Sequence, residues 1–243
     1  MDKDMTDLPL SGKLALVTGA SRGIGAATAE ALARQGAHVV LTARTAGGLE
    51  ALEERIHAFG GSATIAPLDL AESDSIARLA TAIGGRWDAL DILVLNAATL
   101  GSLTPVTAID AKEFNSVLTL NVLAQQALLA NFDAMLRRSA GARVIAVTSS
   151  VGRAPRPFWS VYGASKAAFE TLVLAYGEEV KNFSPVRTMI LDPGATATAM
   201  RARAFPGEDA ATLKGPEVVA ETIVRLAIQG FEPGHRERVA EPA

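Results

Sequence analysis

Tyr162 and Lys166 stand four positions apart in a segment of helical periodicity, so their side chains share one face of the predicted helix. A phenol has an ordinary pKa of about 10, and a neighbouring ammonium group favours its ionised form. The pair could therefore exchange a proton with a substrate oxygen near neutral pH. The same spacing also occurs in exposed helix pairs without a chemical role, so it needs support from other residues.

Two further polar residues are candidates for contacting a substrate or positioning the pair. Ser149 follows an apolar run, thirteen positions before Tyr162. Its hydroxyl could donate to a carbonyl oxygen, or it could satisfy backbone groups of its own turn. Asn121 falls within a long helical pattern, where asparagine is a poor helix former and a buried amide needs partners. A local structural hydrogen bond is the alternative for Asn121.

A glycine-rich turn follows the first apolar run, at residues 18–25. Gly19 permits a tight turn, Gly23 lets backbone N–H groups approach a pyrophosphate, and Gly25 lets helix and strand pack closely. The helix that begins there presents unpaired N–H donors and a partial positive charge. The spacing Gly-x-x-x-Gly-x-Gly differs from the commoner dinucleotide fingerprint, and a turn without a ligand is the alternative. At the first strand of a long α/β chain it predicts a phosphate site.

Alternating strand and helix patterns must position these residues. Apolar runs predict six strands, at residues 14–17, 38–42, 63–67, 91–95, 143–148 and 186–191. Residues 236–240 could supply a short last strand. Helical periodicity predicts helices at residues 24–36, 45–59, 73–87, 110–138, 159–182 and 216–230. The alternation predicts an α/β Rossmann fold, a doubly wound parallel sheet of six to seven strands with helices on both faces. Ligands then bind at the carboxyl ends of the strands.

The composition indicates a single domain over residues 1–243. Apolar residues make up 49% of the chain and charged residues 20%, so no long segment is predicted to be disordered. We expect residues 1–9 to form a flexible tail. Residues 195–214 are long for a loop and are expected to form a lid over the substrate, with a short surface helix as the alternative.

Charge and residue usage argue against several kinds of partner. A formal net charge of -3 gives no general reason to bind nucleic acid or an anionic membrane. The chain has no cysteine, and its three histidines lie far apart in sequence, so no metal site is expected. The first residues do not resemble a signal peptide, and no run is long enough to span a bilayer. A cytoplasmic protein is the expectation.

Taken together, the motifs resemble those of the short-chain dehydrogenase/reductase family in order and spacing, from residue 10 to about residue 228. The motifs are Thr18-Gly19-x-x-x-Gly23-x-Gly25, Asp69, Asn96-Ala97, Asn121, Ser149, Tyr162-x-x-x-Lys166 and Pro193-Gly194. Residues 193–206 are similar to a bacterial subgroup of this family whose physiological substrates are poorly defined. The resemblance covers nearly the whole chain.

This resemblance implies a catalytic tetrad. Tyr162 would be the general acid in carbonyl reduction, and Ser149 would hold the carbonyl oxygen. Lys166 would lower the pKa of Tyr162 and bind the nicotinamide ribose, and Asn121 would anchor a water that connects Lys166 with solvent. Hydride would pass directly between the nicotinamide and the carbonyl carbon, so no metal is required.

The resemblance also implies a dinucleotide cofactor. Members that prefer NAD usually carry an acidic residue after the second strand, where this chain has Ala43-Arg44. The guanidinium groups of Arg44 and Arg22 suit a 2′-phosphate, so NADP(H) is the preferred cofactor and NAD(H) the alternative. Ala98 departs from the family pattern, which has glycine there. The expected cofactor contacts are Gly19, Ser21, Arg22, Gly23, Ile24, Gly25, Arg44, Asp69, Leu70, Asn96, Ala97, Ala98, Tyr162, Lys166, Pro193, Gly194, Thr196 and Thr198.

The substrate is expected to be a small carbonyl compound or alcohol. Its expected contacts are Ser149, Val151, Arg153, Trp159, Tyr162 and Met200. A general ketone or aldehyde reductase and a 3-oxoacyl-thioester (acyl-carrier-protein) reductase both remain open. A regulatory protein that binds a dinucleotide without turnover is the alternative from another functional class.

The resemblance further implies a homodimer or a homotetramer. Many family members associate through their two long helices, here residues 110–138 and 159–182. The second of these helices carries more apolar residues than one core-facing stripe needs. Self-association through these helices is therefore the expected assembly.

Overall fold

One sheet of seven parallel strands organises the residues that this computed structural model describes, 8–72 and 74–240. The strands are β1 (Leu14–Thr18), β2 (His38–Ala43), β3 (Ser62–Pro67), β4 (Ile92–Leu95), β5 (Arg143–Val147), β6 (Arg187–Asp192) and β7 (His235–Arg238). They lie in the order β3-β2-β1-β4-β5-β6-β7, and every neighbouring pair is parallel. The predicted doubly wound parallel sheet is confirmed.

Helices cover both faces of the sheet, as predicted. The α-helices of the described chain are α1 (Gly23–Arg34), α2 (Ala46–Ala58), α3 (Ser75–Gly84), α4 (Ala111–Leu118), α5 (Ala124–Arg138), α6 (Ser160–Val180), α7 (Ala199–Ala204) and α8 (Pro216–Gln229). Val17 belongs to the apolar core under α1, α2 and α8, and its neighbour Leu16 to the core under α3, α5 and α6. Successive side chains of a strand point to opposite faces, so β1 supplies both cores.

The crevice for a ligand arises beside β1, where the strand order reverses. β1 pairs with β2 on one side and with β4 on the other. The Thr18 hydroxyl, at the end of β1, donates to the Val94 carbonyl oxygen at 3.1 Å and accepts from the amides of Asn96 and Ala97, both at 3.0 Å. This buried hydroxyl fixes the loop after β4 against the glycine turn.

The segment 110–138 differs from the single helix that its periodicity predicts. Asp110 caps α4, where its carboxylate accepts from the Glu113 amide at 2.8 Å. A π-helical turn over Thr119–Leu123 then separates α4 from α5, and Asn121 is buried in that turn. A π-helical turn within a helix is too short to alter the 3.6-residue pattern of the sequence, so the pattern alone does not reveal it.

The two ends of the described chain concern the predicted seventh strand and the predicted amino-terminal tail. The seventh strand ends at Arg238, two residues before the predicted end at Ala240. Residues 1–7 of the expected tail lie outside the described residues, as does Ser73 at the expected start of a helix. Just after the expected tail, the Leu10 amide donates to the Gln35 carbonyl oxygen at 2.8 Å.

Within residues 8–72 and 74–240, no helix combines the length and the apolar character needed to cross a membrane.

Candidate active site

A cavity of about 700 Å³ opens at the carboxyl ends of the strands. The predicted site residues that line it are Gly19, Ser21, Arg22, Gly23, Ile24, Arg44, Asp69, Leu70, Asn96, Ala97, Ala98, Ser149, Trp159, Tyr162, Lys166, Pro193, Gly194, Thr196, Thr198 and Met200. Gly25, Asn121, Val151 and Arg153 are not among the residues that line it. Residues predicted for the cofactor, for catalysis and for the substrate thus meet in one cavity.

The glycine turn shapes one wall of this cavity. Gly19 has a φ of +67°, and a Cβ there would lie 3.0 Å from the Ala97 Cα atom. A Cβ on Gly25 would overlap the Gly19 carbonyl oxygen, so Gly25 allows α1 to pack against the turn. In the described chain no side chain caps α1, and no acidic residue occupies its first turn. Its first N–H groups can therefore bind an anion in the cavity.

Two arginines give the end of the cavity near β2 a positive charge. Arg44 follows β2; its side chain is 75% exposed and its Nη1 atom lies 3.8 Å from the Asp69 Oδ2 atom. Asp69 also accepts from the Ala71 amide at 2.9 Å. Arg22 immediately precedes α1 and lines the same cavity. Two guanidinium groups against one carboxylate leave this end cationic.

Tyr162 and Lys166 lie one turn apart on α6, and only 7% and 3% of their surfaces are exposed. The Lys166 ammonium donates to the Val147 carbonyl oxygen at 2.9 Å and lies 5.7 Å from the centre of the Tyr162 ring. Val147 ends β5, two residues before Ser149. The contact between α6 and β5 therefore brings the tyrosine, the lysine and the serine to one cavity.

Burial dominates the electrostatics of this pair. It lowers the pKa of Lys166 to about 8, and the Glu170 carboxylate partly opposes this shift. It also raises the pKa of Tyr162, and the Asp192 carboxylate raises it further. The sequence predicts the opposite direction for Tyr162, because the cost of desolvating a phenolate does not appear in residue spacing. Tyr162 is a protonated phenol at neutral pH, which is the form a general acid requires.

Asn121 contacts the loop after β4 and the amino-terminal part of α6. Its Oδ1 atom accepts from the Thr99 amide at 2.8 Å, and its Nδ2 atom donates to the Thr99 carbonyl oxygen at 2.8 Å and to the Ser165 hydroxyl at 3.0 Å. Ser165 in turn donates to the Tyr162 carbonyl oxygen at 2.8 Å. These bonds position the helix that carries Tyr162. The water relay expected of Asn121 stays a prediction.

Ser149 lies where β5 ends and a 3₁₀ turn over Ser150–Gly152 begins. Val151 in that turn packs with Tyr162 in a small apolar cluster and lines a smaller neighbouring cavity of about 170 Å³. The Arg153 Nε atom lies 3.7 Å from the Glu170 carboxylate. The geometry therefore gives no support to the substrate contact predicted for Arg153.

The segment 195–214 forms the remaining wall. A β-bridge joins Thr196 to Lys214 and closes the segment at its base. The Thr196 hydroxyl donates to the Pro193 carbonyl oxygen at 3.2 Å, whereas the Thr198 hydroxyl accepts from the Arg201 amide at 3.2 Å. Thr198 can thus direct its own proton to a ligand.

Sequence reasoning missed several residues that the structure brings to the site, among them Arg203 and Glu170. Arg203 on α7 lines the cavity and donates to the Gly101 carbonyl oxygen at 2.9 Å, which ties α7 to the loop after β4. Glu170 is buried one turn after Lys166, and its carboxylate accepts from the Arg236 guanidinium at 2.6 Å. The four-residue spacing after Lys166 could have indicated Glu170. No local signal indicates Arg203 or Arg236.

The chain was compared with protein families and with curated sequences. The family model described as short chain dehydrogenase matches residues 13–209. The chain is 34% identical over 210 residues to the uncharacterized oxidoreductase YciK of Escherichia coli K12, an alignment that covers 85% of this chain and 82% of that protein. The match includes the glycine turn, β5 and the tyrosine–lysine pair of α6.

Solved structures of similar proteins share the whole architecture. A short chain dehydrogenase from Pseudomonas syringae superposes with a TM-score of 0.93 at 33% identity, covering 99% of each chain. A short chain dehydrogenase from Escherichia coli CFT073, solved in complex with NADPH, gives a TM-score of 0.90 at 32% identity and covers 98% of this chain and 99% of that one. The similarity therefore extends over the sheet, the cavity and the segment 195–214.

Proposed function

The chain belongs to the short-chain dehydrogenase family, and from that premise we propose that it is an NADP(H)-dependent oxidoreductase that interconverts a carbonyl compound and an alcohol. One observation carries the proposal. A single cavity has unpaired helix N–H groups and two arginines at one end, and a buried tyrosine and lysine with a half-buried serine at the other. A dinucleotide needs the first set and carbonyl chemistry the second.

The cofactor end fits NADP(H) in its charge and in its backbone. The glycine turn and the uncapped start of α1 would hold the pyrophosphate. Arg22 and Arg44 would pair with the 2′-phosphate, for which guanidinium geometry is well suited. Lys166 would bind the nicotinamide ribose, and Thr198 would donate to the carboxamide. Similar structures solved with NADP and with NADPH support this choice over NAD(H).

The catalytic end would move one proton. The nicotinamide supplies or accepts the hydride when the cofactor is bound. Ser149 would hold the carbonyl oxygen, and the protonated Tyr162 would give that oxygen its proton in the direction of reduction. The Lys166 ammonium would lower the cost of the phenolate that remains. Apolar residues pack around Tyr162 and leave only 7% of its surface exposed.

The test is the steady oxidation of NADPH and of NADH by purified protein with ketones, aldehydes and acetoacetyl thioesters. We expect turnover with NADPH to exceed that with NADH. Tyr162→Phe should lower kcat by about 10²- to 10⁴-fold, the range for loss of a positioned acid, while NADPH still binds. Equal activity of the mutant would contradict the role of Tyr162. Binding of NADPH without any turnover that depends on Tyr162 would favour the regulatory alternative.

We also propose that the protein is a homodimer or homotetramer that associates through α4, α5 and α6. Leu123, between α4 and α5, is 61% exposed, and Phe183, just after α6, is 66% exposed. Large exposed apolar side chains are common in protein interfaces. Light scattering at micromolar concentration tests this, and Leu123→Glu should shift the assembly toward monomer. A monomeric wild-type protein would contradict it.

A further inference from the structure

Trp159 stands between the tyrosine and the segment 195–214. Its ring centre lies 6.1 Å from that of Tyr162, edge to face at 66°, and 5.6 Å from that of Phe205, tilted by 31°. Trp159 lines the cavity, whereas Phe205 is not among the residues that line it. Phe205 therefore supports the indole from behind.

An ion pair supports Phe205 in turn. The Arg201 Cζ atom lies 3.8 Å from the centre of the Phe205 ring. The Glu208 carboxylate accepts from Arg201 twice, from Nε at 2.6 Å and from Nη2 at 2.5 Å. A bidentate arginine–carboxylate pair fixes the plane of the guanidinium, and a guanidinium over a ring is a favourable contact. Glu208, Arg201, Phe205 and Trp159 thus form a continuous stack that ends beside Tyr162.

Three apolar residues beside Trp159 line the cavity, together with Arg201 and Arg203 of α7. Leu100, Met200 and Ala204 line the same cavity, and they pack in the cluster that contains Tyr162 and Trp159. Aliphatic side chains accept any apolar group of the right size. The indole of Trp159 offers a larger flat π surface than the Tyr162 ring, which lines the same cavity, and such a surface favours another flat ring.

We propose that Trp159 is a specificity-determining residue that stacks on a planar, apolar substituent of the carbonyl substrate, so that aryl aldehydes and aryl ketones are the preferred class. We further assign Arg201 and Glu208 as positioning residues that hold this wall through Phe205. The inference rests on the proposed carbonyl reduction and adds its substrate class. Aromatic contacts of this kind are worth a preference of about 2- to 10-fold over a saturated ring.

Benzaldehyde and cyclohexanecarbaldehyde are a matched pair of probes, because they have the same number of non-hydrogen atoms and differ in planarity. Their intrinsic reactivities differ too, so the informative quantity is the ratio of their kcat/KM values in a variant divided by that ratio in the wild type. Trp159→Leu should lower this ratio by about 2- to 10-fold. Trp87→Leu is the control. The ring centre of Trp87 lies 4.9 Å from that of His38, and Trp87 is not among the residues that line the cavity. The specificity ratio should therefore stay constant in this variant.

The positioning role makes a separate kinetic prediction. Glu208→Gln and Arg201→Met should each raise KM for benzaldehyde more than for cyclohexanecarbaldehyde, while kcat for both and the Kd of NADPH change little. A purely structural role would lower the thermal midpoint and impair both aldehydes equally. That pattern would remove Arg201 and Glu208 from the proposal.

A binding measurement separates this inference from the proposed function. The chain has two tryptophans, so Trp87→Phe leaves Trp159 as the only fluorophore of its kind. In the presence of NADP⁺, we expect benzamide, an unreactive planar probe, to quench its fluorescence more strongly than cyclohexanecarboxamide does. Quenching without aldehyde turnover would uphold the aromatic wall and weaken the proposed reaction. Equal quenching by both amides, or an unchanged specificity ratio in Trp159→Leu, would overturn the wall even if the enzyme is active.

Discussion

The two ends of the cavity meet their ligands under different physical conditions. At the catalytic end, Lys166 is 3% exposed and bonded to the Val147 carbonyl oxygen, and its pKa is lowered to about 8 by burial. At the adenosine end, Arg44 is 75% exposed and only loosely paired with Asp69. The catalytic end holds the Lys166 ammonium in a fixed place away from water, and the adenosine end presents exposed guanidinium groups to water.

The catalytic end is therefore suited to hold one charge in a fixed position, and the adenosine end to attract an anionic ligand from solvent. A buried ammonium interacts strongly with its neighbours because the surrounding dielectric is low, and it has little freedom to move. An exposed guanidinium is screened by salt, and each such contact is worth little by itself. We therefore expect the catalytic end to be intolerant of substitution and insensitive to salt, and the adenosine end to behave in the opposite way.

Removal of the buried cation should have the largest effect. Lys166→Met is expected to lower kcat/KM by about 10²- to 10⁴-fold, as for loss of a group that acts on the proton donor. The loss should be nearly the same at low and high ionic strength. The thermal midpoint should stay constant or rise, because methionine removes a charge that is costly to bury. If Lys166→Met loses activity because it unfolds, the contrast drawn between the two ends of the cavity is wrong.

Removal of both exposed cations should have a smaller effect that depends on salt. For the double variant of Arg22→Met and Arg44→Met, we expect the Kd of NADPH to rise by about 10- to 30-fold at low ionic strength, from two solvent-screened charge contacts. The difference should shrink at high ionic strength. NADH, which has no 2′-phosphate, is the matched control ligand, and its Kd should change little. An equal loss for NADH would show that these arginines do not recognise the 2′-phosphate.

Sequence predicts the residues of both ends but not their physical states. The glycine turn, the tyrosine–lysine spacing and the absence of an acidic residue after β2 are local patterns, so they can be read from the chain. The raised pKa of Tyr162 follows from burial and from Asp192, which is thirty residues further along. No local pattern reports such a contact.

The features of the fold that the sequence did not predict likewise depend on contacts between residues far apart in the chain. Apolar runs predict the first six strands because each of these strands is a local pattern with a period of two or a buried run, whereas β7 has the sequence His-Arg-Glu-Arg and no apolar run. The π-helical turn at Thr119–Leu123 goes undetected because it is too short to alter the helical pattern, and the bonds of its Asn121 reach Thr99, 22 residues earlier in the chain. The stack of Trp159 on Phe205 likewise joins α6 to a segment about forty residues later.

The decrease of kcat/KM at alkaline pH provides a further test of the difference between the catalytic end and the adenosine end. The pKa of Lys166 is lowered to about 8, so the ammonium is charged below that pH and neutral above it. Its proposed roles are lost as the pH rises through this value, and kcat/KM for reduction should fall about tenfold for each further pH unit. Lys166→Met lacks this titrating group. The Kd of NADPH in Lys166→Met should therefore show no limb near this pH.

The smallest expected effect comes from substituting Glu170, whose carboxylate opposes the lowering of the pKa of Lys166. The Glu170 carboxylate raises the pKa of Lys166, and it is held by the Thr148 hydroxyl at 2.7 Å and the Arg236 guanidinium at 2.6 Å. Glu170→Gln removes a negative charge beside the ammonium, so the pKa of Lys166 should fall further. We expect the alkaline limb to move by about half a pH unit toward neutrality.

A second glutamate of α6 supplies the control for this shift. Glu178 is paired with Lys181 at the solvent-exposed end of the helix, so Glu178→Gln removes the same charge from the same helix without touching the site. Its pH profile should match that of the wild type. If both variants move the limb equally, the net charge of the helix sets the pKa of Lys166. If only Glu170→Gln moves it, the buried contact does, and the catalytic end then depends on single placed charges, in contrast to the summed charge of the adenosine end.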